Sequence, residues 1–191
     1  MYRLFYYPRN ASWAPHLVLE TLGLPFELEL VDRSTTAQKS EQYLALNPTG
    51  RIPTLVHGDR VVLESAAICL YLCENHPDSG LVPAVGDELR ANFYQWMFYL
   101  TSTVQAELMI YFYPEKHTLA KDSGACRAIV AAQEARISAM FELIDHSLQG
   151  KMFLLGDTLS LCDYFLFMLS HWGSGLQRPP LSFEHLGACL R

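Results

Sequence analysis

The most informative segment of the sequence is Asn47-Pro48-Thr49-Gly50-Arg51-Ile52-Pro53-Thr54-Leu55, followed closely by Leu63-Glu64-Ser65-Ala66-Ala67-Ile68. The first segment is a turn with a proline where a strand should begin, and the second is the end of a hairpin with an acid–serine pair that opens a helix. Pro53 has no N–H group, which costs nothing at the first position of an edge strand. The same arrangement also suits a site that binds a small peptide in extended form.

Around these segments, residues 1–77 alternate between strand and helix patterns. The patterns predict a strand at 3–7, a helix at 13–22, a strand at 26–31, a helix at 41–46, hairpin strands at 54–56 and 61–63, and a helix at 65–75. This order, β-α-β-α-β-β-α, predicts a mixed four-stranded sheet with helices packed on its faces. It is the arrangement of a thioredoxin-like domain.

The composition changes after residue 77. Proline and glycine cluster in a linker that we place at 78–87, and strand signals stop beyond it. The remaining residues, 88–191, predict an all-helical domain. Its expected helices are at 88–113, 120–148 and 160–171, with a last helix from about 183.

Composition and charge limit the classes of function. Half of the residues are hydrophobic, which is typical of a compact fold. The net charge of −6 gives no electrostatic reason to expect nucleic acid or an anionic membrane. No apolar run is long enough to span a membrane, and the start has no signal-peptide pattern. Five cysteines on apolar segments indicate a reduced, cytosolic protein, and neither they nor the histidines have the spacing of a metal site.

Taken together, the motifs resemble the cytosolic glutathione S-transferase superfamily over essentially the whole chain. The resemblance is carried by Tyr6-Tyr7-Pro8 to His16, by 47–55, by Glu64-Ser65-Ala66-Ala67-Ile68 and by Ser160-Leu161-Cys162-Asp163. The stretch from Asn10 to His16 is most similar to bacterial beta- and theta-class members. The resemblance implies a glutathione-binding N-terminal domain, a helical domain that forms the site of a hydrophobic electrophile, and a cytoplasmic homodimer.

The resemblance also implies which residues bind glutathione. It implies a cis Ile52–Pro53 bond that turns the Ile52 backbone toward the cysteinyl part of glutathione. Glu64 would accept the γ-glutamyl ammonium, while Ser65 and the adjacent helix N-terminus would bind the α-carboxylate; Ser65 also suits an N-cap. The expected partners of the glycine carboxylate are Lys39 and Gln38, with Arg9, Arg33 and Arg51 as alternatives.

The glutathione thiol needs a partner that stabilises its thiolate, and two residues compete for that role. A free thiol has a pKa near about 8.5, so little of it is ionised at neutral pH. Ser12 lies at the predicted start of the first helix, where theta-like relatives have a serine. Because Pro15 has no N–H for Ser12 to cap, we expect a hydroxyl that is free to face the ligand. Tyr6, at the end of the first strand, is the rival. Ala11 stands near the cysteine of other relatives, which argues against mixed-disulfide chemistry.

The second substrate is less well defined by the sequence. The aromatic-rich helix at 88–113 is expected to line part of an apolar site, and Gln105 stands where beta-type relatives carry a histidine. Ser160 and Asp163 match the capping box of the family, so Asp163 is predicted to stabilise the helical domain and not to act as a catalytic acid. Relatives commonly extend beyond the position of Arg191, and the sequence leaves open whether a tail is missing.

The sequence therefore predicts a detoxification enzyme that joins the thiolate of reduced glutathione to small hydrophobic electrophiles and forms thioethers without a metal. Two alternatives stay open. One is another glutathione-dependent enzyme on the same scaffold, such as a peroxidase, isomerase or dehalogenase. The other is a non-catalytic relative that binds partners, because a fold does not determine a function.

Overall fold

A computed structural model describes residues 1–120 and 123–191. The chain divides into two compact units, Met1–Ala84 and Val85–Arg191. The first unit contains β1 (Tyr2–Tyr6), α1 (Trp13–Thr21), β2 (Phe26–Leu30), α2 (Glu41–Leu46), β3 (Thr54–His57), β4 (Arg60–Leu63) and α3 (Ser65–Asn75). The second contains α4 (Arg90–Phe98), α5 (Gln105–Phe112), α6 (Ser123–Ser147), α7 (Leu161–Trp172) and α8 (Glu184–Cys189).

The four strands form one mixed sheet in the order β2-β1-β3-β4. β1 is parallel to β2 and antiparallel to β3, and β3 is antiparallel to β4. Both the thioredoxin-like first unit and the all-helical second unit that the sequence predicts are confirmed. In the sheet, Tyr6 pairs with Leu30, Phe5 with Thr54, and Thr54 with Leu63. β1, β2 and β4 therefore end, and β3 begins, at the same edge of the sheet.

The core of the first unit lies between the sheet and the helices α1 and α3. Leu4 and Leu55 are fully buried in the central strands, and Val18 of α1 and Ile68 of α3 are fully buried above them. Complete burial of such an aliphatic side chain contributes about 1.5–3 kcal/mol. The apolar positions of β1 and of the two helices thus hold the carboxyl end of β1 and the start of α3 in fixed positions.

The helix predicted at 88–113 begins later and is not uniform. α4 starts at Arg90 because the Asp87 carboxylate accepts a hydrogen bond from the Leu89 N–H at 2.8 Å and closes a turn before it. Between α4 and α5, residues Tyr99–Val104 form a π-helical segment. The Thr101 hydroxyl donates to the Met97 carbonyl at 2.7 Å, a local bond that competes with regular helix geometry. The sequence prediction of one regular helix was therefore wrong in its middle.

The capping box predicted for the helical unit is present at the start of α7. The buried Asp163 carboxylate accepts hydrogen bonds from the Ser160 N–H and hydroxyl, both at 2.8 Å, and from the Leu154 N–H at 2.9 Å. Of the helix predicted at 120–148, residues 121 and 122 lie outside the described residues. Within the described ranges, no helix has the length and apolar character that crossing a membrane requires.

Candidate functional site

Three segments that carry predicted site residues meet at the edge of the sheet where β1 and β4 end and β3 begins. The turn between β1 and α1 contains Ser12, the loop between α2 and β3 contains Ile52, and Glu64 and Ser65 follow β4 directly. A hydrogen bond from the Ser65 hydroxyl to the Ala11 carbonyl, 2.8 Å long, joins the first of these segments to the third. The topology thus brings together residues that are more than fifty positions apart.

The loop before β3 has a cis Ile52–Pro53 peptide bond, as predicted. Ile52 is half-buried, and its backbone N–H and C=O have no hydrogen-bond partner among the described residues. These two groups are therefore available to pair with an extended ligand in the way that a strand edge pairs with a peptide.

Buried polar side chains hold this loop in place. The Asn47 amide donates to the Arg51 carbonyl at 2.8 Å and to the Thr54 hydroxyl at 3.0 Å. The Tyr43 hydroxyl donates to the same Arg51 carbonyl at 2.7 Å and lies 2.9 Å from the Thr54 hydroxyl. Burial raises the pKa of the Tyr43 phenol above its ordinary value, which is itself well above neutral pH, so the hydroxyl is protonated and can donate. The network fixes the residue that immediately precedes Ile52.

Lys39 and Gln38 lie beside the same loop. The Lys39 ammonium donates to the Thr49 carbonyl at 3.3 Å. The Lys39 side chain and the Gln38 carbonyl oxygen lie next to Gly50. Gly50 has a φ of +60°, which favours glycine, and a side chain at this position would lie 2.9 Å from the Gln38 backbone carbonyl oxygen, which cannot easily move away. The Gln38 Oε1 atom is buried and has no hydrogen-bond partner in the described part of the chain.

Glu64 and Ser65 occupy the start of α3 in a way that corrects one expectation. Ser65 is the first residue of α3 and Glu64 is its N-cap, so Ser65 is not the capping residue. The Ser65 hydroxyl donates to the Ala11 carbonyl, which leaves backbone N–H groups of the first turn to receive an anion. Glu64 is exposed and has the unusual backbone angles φ 66° and ψ 123°. Its carboxylate forms no ion pair within residues 1–120 and 123–191.

Ser12 was expected to present a free hydroxyl, and this expectation was wrong. Its side chain makes no N-cap bond, as the position of Pro15 predicts. However, Ser12 is only 2% exposed, and its hydroxyl lies 2.7 Å from Asn10 Oδ1 and 3.1 Å from the Tyr7 carbonyl. The Tyr7 N–H also points at the hydroxyl oxygen, at 3.3 Å. The Ser12 hydroxyl is therefore hydrogen-bonded to other residues of its own turn, Tyr7 and Asn10.

Tyr6, the rival residue, is the last residue of β1 and is half-buried. Its carbonyl accepts a hydrogen bond from the Val31 N–H at 2.9 Å, which extends the pairing of β1 with β2. The neighbouring Tyr7 has the Arg33 guanidinium 5.7 Å from its ring centre. The Arg33 guanidinium, held against the Tyr7 ring, therefore brings one positive charge to the edge of the sheet that carries the candidate site.

Sequence reasoning missed four polar residues of the site. Asn10, Tyr43, Asn47 and Thr54 either orient Ser12 or hold the loop before Pro53. Asn47 had a recognisable signal, because an asparagine before Pro-Thr-Gly is typical of a turn closed by its side chain. The described residues contain no group of three or more histidine, cysteine or acidic side chains placed to hold a metal ion.

Comparison with known proteins identifies the family. Residues 10–75 match the model of the glutathione S-transferase N-terminal domain. Glutathione S-transferase GST-4.5 of Xanthomonas campestris is 31% identical over 170 residues, which span 89% of this chain and 81% of the relative. Glutathione S-transferase GstA of Escherichia coli O157:H7 is 25% identical over 191 residues, or 99% of this chain and 90% of the relative. The chain belongs to the glutathione S-transferase family of enzymes.

Solved structures give the same result. A glutathione transferase homologue from Sulfitobacter, crystallised with bound glutathione, superposes with a TM-score of 0.86 at 26% identity, covering 100% of this chain and 90% of the other. A glutathione S-transferase from Xylella fastidiosa has a TM-score of 0.89 and covers 100% of this chain and 91% of its own. Its identity of 24% supports the fold alone.

Proposed function

We propose that this protein binds reduced glutathione at the sheet edge described above and transfers its thiolate to the electrophilic carbon of a small hydrophobic compound, forming a thioether. The observation that carries the proposal is the Ile52 backbone. It is unpaired, it precedes a cis proline, and it lies in a loop fixed by Asn47 and Tyr43. Such a backbone suits the extended cysteinyl part of the tripeptide.

The ends of glutathione have matching partners around Ile52. The γ-glutamyl carboxylate would bind the N–H groups at the start of α3, where the helix dipole favours an anion, and its ammonium would bind Glu64. Ser65 would act mainly by tying α3 to Ala11, since its hydroxyl proton is already donated. Lys39, beside Gly50, is the proposed partner of the glycine carboxylate, and Gln38 supports it.

Thiol activation belongs to the same proposal. Raising the thiolate fraction at neutral pH requires a hydrogen-bond donor close to the sulfur. The turn that contains Ser12 adjoins the start of α3 and is the proposed source of that donor. Tyr6, the last residue of β1, is the alternative donor. The electrophile would contact apolar and aromatic side chains of the helical unit.

A comparison of two reactions tests the proposed function. The purified protein is assayed with reduced glutathione and either an activated aryl chloride or an organic hydroperoxide. We expect saturable conjugation of the aryl chloride, with loss of activity when Lys39 and Glu64 are both replaced by alanine. Turnover of the hydroperoxide alone would replace conjugation with a peroxidase reaction at the same site. No turnover of either compound, together with no glutathione binding, would refute the proposal.

A cytosolic homodimer completes the proposal. All five cysteines are free thiols, which fits a reducing compartment. On α4, the apolar side chain of Phe98 is 65% exposed, and Tyr94, one helical turn before it, is 42% exposed. Because aromatic residues are enriched in interfaces between protein chains, this face of α4 is the proposed dimer contact.

A further inference from the structure

The Ser12 hydroxyl is poorly placed to meet a ligand sulfur. It is buried, and its single proton already has two acceptors, Asn10 Oδ1 at 2.7 Å and the Tyr7 carbonyl at 3.1 Å. A hydroxyl has only one proton to donate. To donate to a thiolate, the Ser12 hydroxyl would have to turn away from both of these acceptors and give up the hydrogen bonds that hold it in the turn, which is unfavourable.

The Asn10 side chain is better placed. Its oxygen accepts both the Ser12 N–H, at 2.8 Å, and the Ser12 hydroxyl. Because a backbone N–H can only donate, the amide atom that faces Ser12 must be the oxygen, and the orientation of the amide is thereby fixed. The Asn10 NH₂ group consequently points away from Ser12. It has no acceptor among the described residues, and Asn10 itself is half-buried.

Asn10 lies beside the elements that are proposed to bind the cysteinyl part of glutathione. Asn10 directly precedes Ala11, whose carbonyl accepts the hydrogen bond from Ser65 at the start of α3. It also lies three residues before the first residue of α1, whose N-terminus carries a partial positive charge. The cysteinyl part of glutathione, bound along Ile52 between these elements, would bring its sulfur to this turn.

We propose that the Asn10 side-chain NH₂ group is the donor that stabilises the glutathione thiolate, and that Ser12 is a positioning residue that holds the Asn10 amide in the required orientation. The inference rests on the proposed glutathione site. In the binary complex, the thiol S–H bond breaks and its proton passes to solvent, while the Asn10 N–H donates to the resulting S⁻. In conjugation, a sulfur lone pair then forms the C–S bond, and the leaving group departs with the electrons of its own bond to carbon.

Two substitutions of Asn10 separate its donor from its role in the turn. Asn10→Asp keeps an oxygen that accepts from Ser12 but replaces the NH₂ group with an oxygen that repels a thiolate. Asn10→Ala removes both groups. Ser12→Ala removes one of the two bonds that orient Asn10, and Asn75→Ala, at the far end of α3, is the matched control.

The deciding readout is the thiol pKa of bound glutathione, followed by thiolate ultraviolet absorbance across pH. We expect Asn10→Ala to raise that pKa by about one to two units, since one hydrogen bond to a charged group is lost. Asn10→Asp should raise it at least as much, Ser12→Ala by less, and Asn75→Ala not at all. Conjugation of the aryl chloride at neutral pH should fall about tenfold to a hundredfold in Asn10→Ala.

Binding of S-methylglutathione, which has no thiol to ionise, distinguishes the outcomes. If the wild-type protein does not bind it, the proposed glutathione site fails, and the present inference fails with it. If Asn10→Ala binds it with wild-type affinity and the thiol pKa of bound glutathione is also unchanged, the glutathione site stands and the role of Asn10 is overturned. Asn10→Ala alone decides the question if Asn10→Asp does not fold.

Discussion

Glu64 combines a strained backbone with an exposed charge. A φ of 66° with a ψ of 123° is rare for a residue with a side chain and costs on the order of 1–3 kcal/mol. The exposed carboxylate has no ion-pair partner within the described ranges, so no ion pair of the Glu64 side chain offsets that cost. The strained backbone and the exposed carboxylate of Glu64 together indicate that this residue is kept at the start of α3 to bind a ligand.

Two substitutions at Glu64 separate binding from strain. Glu64→Ala and Glu64→Gly both remove the carboxylate, so each should weaken glutathione binding by about 1.5 kcal/mol, the low end for a charged hydrogen bond because the site is exposed. Only glycine accepts the backbone angles without strain. We therefore expect Glu64→Gly to have a free energy of unfolding about 1 kcal/mol above that of Glu64→Ala.

Calorimetric titration with glutathione and urea unfolding of the two variants provide the measurements. Glu74→Ala, at an exposed position near the end of α3, serves as the control for loss of a surface carboxylate. Wild-type affinity in both Glu64 variants would remove Glu64 from the γ-glutamyl site. Equal unfolding free energies in the two variants would show that the backbone angle carries no cost.

At the scale of single elements, the loop before β3 depends on α2. Tyr43→Phe removes the hydroxyl that bonds to the Arg51 carbonyl, but Asn47 still bonds to the same carbonyl. We expect a loss of about 1 kcal/mol in the free energy of unfolding. Asn47→Ala should cost about 2–3 kcal/mol, because it removes four hydrogen bonds: two that Asn47 donates to the Arg51 carbonyl and the Thr54 hydroxyl, and two that it accepts from Thr49.

Glutathione affinity should fall less in Tyr43→Phe than in Asn47→Ala, because Asn47→Ala removes more of the hydrogen bonds that hold the loop around Ile52. The matched control is Tyr94→Phe, which removes a hydroxyl that accepts a hydrogen bond from Arg90 on an exposed face of α4. A Tyr43→Phe variant that is as stable as Tyr94→Phe, and binds glutathione equally well, would show that the α2 network does not hold the loop.

The capping box of α7 gives the helical unit a pH dependence of known sign. Burial raises the pKa of the Asp163 carboxyl above its ordinary value, although three hydrogen bonds to the carboxylate oppose the shift. The folded state therefore binds the proton more tightly than the unfolded state does. The resulting contribution to stability is complete below the unfolded pKa and is lost as pH rises through the folded pKa.

Asp163→Ala should destabilise the protein by about 2–4 kcal/mol at neutral pH, because it leaves the Ser160 and Leu154 N–H groups buried without acceptors. The free energy of unfolding of the wild type, relative to this variant, should increase as pH falls from neutral toward the unfolded carboxyl pKa of about 3.9. Urea unfolding at a series of pH values measures the difference. A difference that shrinks toward acid would contradict the direction of the shift.

The elements differ in how far the sequence predicted them. α2 and α3 have the predicted bounds, because turn residues and N-terminal polar residues mark their ends. The π segment at Tyr99–Val104 was not predictable, since the hydrogen bond from the Thr101 hydroxyl to the Met97 carbonyl that accompanies it leaves no periodic signal in the sequence. The site was predicted in its backbone parts, including the cis Ile52–Pro53 bond. The burial of Ser12 was missed because it results from hydrogen bonds among neighbouring turn residues, and the periodicity of the sequence does not reveal such bonds.

For the whole molecule, the proposed homodimer makes a direct prediction. Phe98→Glu places a charge on the exposed aromatic face of α4 and should convert a dimer into a monomer, because burying an unpaired carboxylate is unfavourable. Met152→Glu, at an apolar residue that is 61% exposed in the loop after α6, is the control and should remain dimeric. Sedimentation analysis measures the mass. A Phe98→Glu variant that stays dimeric would exclude this face of α4 from the interface.

Calorimetric titration of the purified protein with reduced glutathione near neutral pH measures whether the proposed glutathione site exists. The unpaired Ile52 backbone, the N-terminus of α3 and Glu64 predict saturable binding with one site per chain. Absence of binding up to millimolar glutathione would contradict the site, and the fold would then serve as a module that binds other partners.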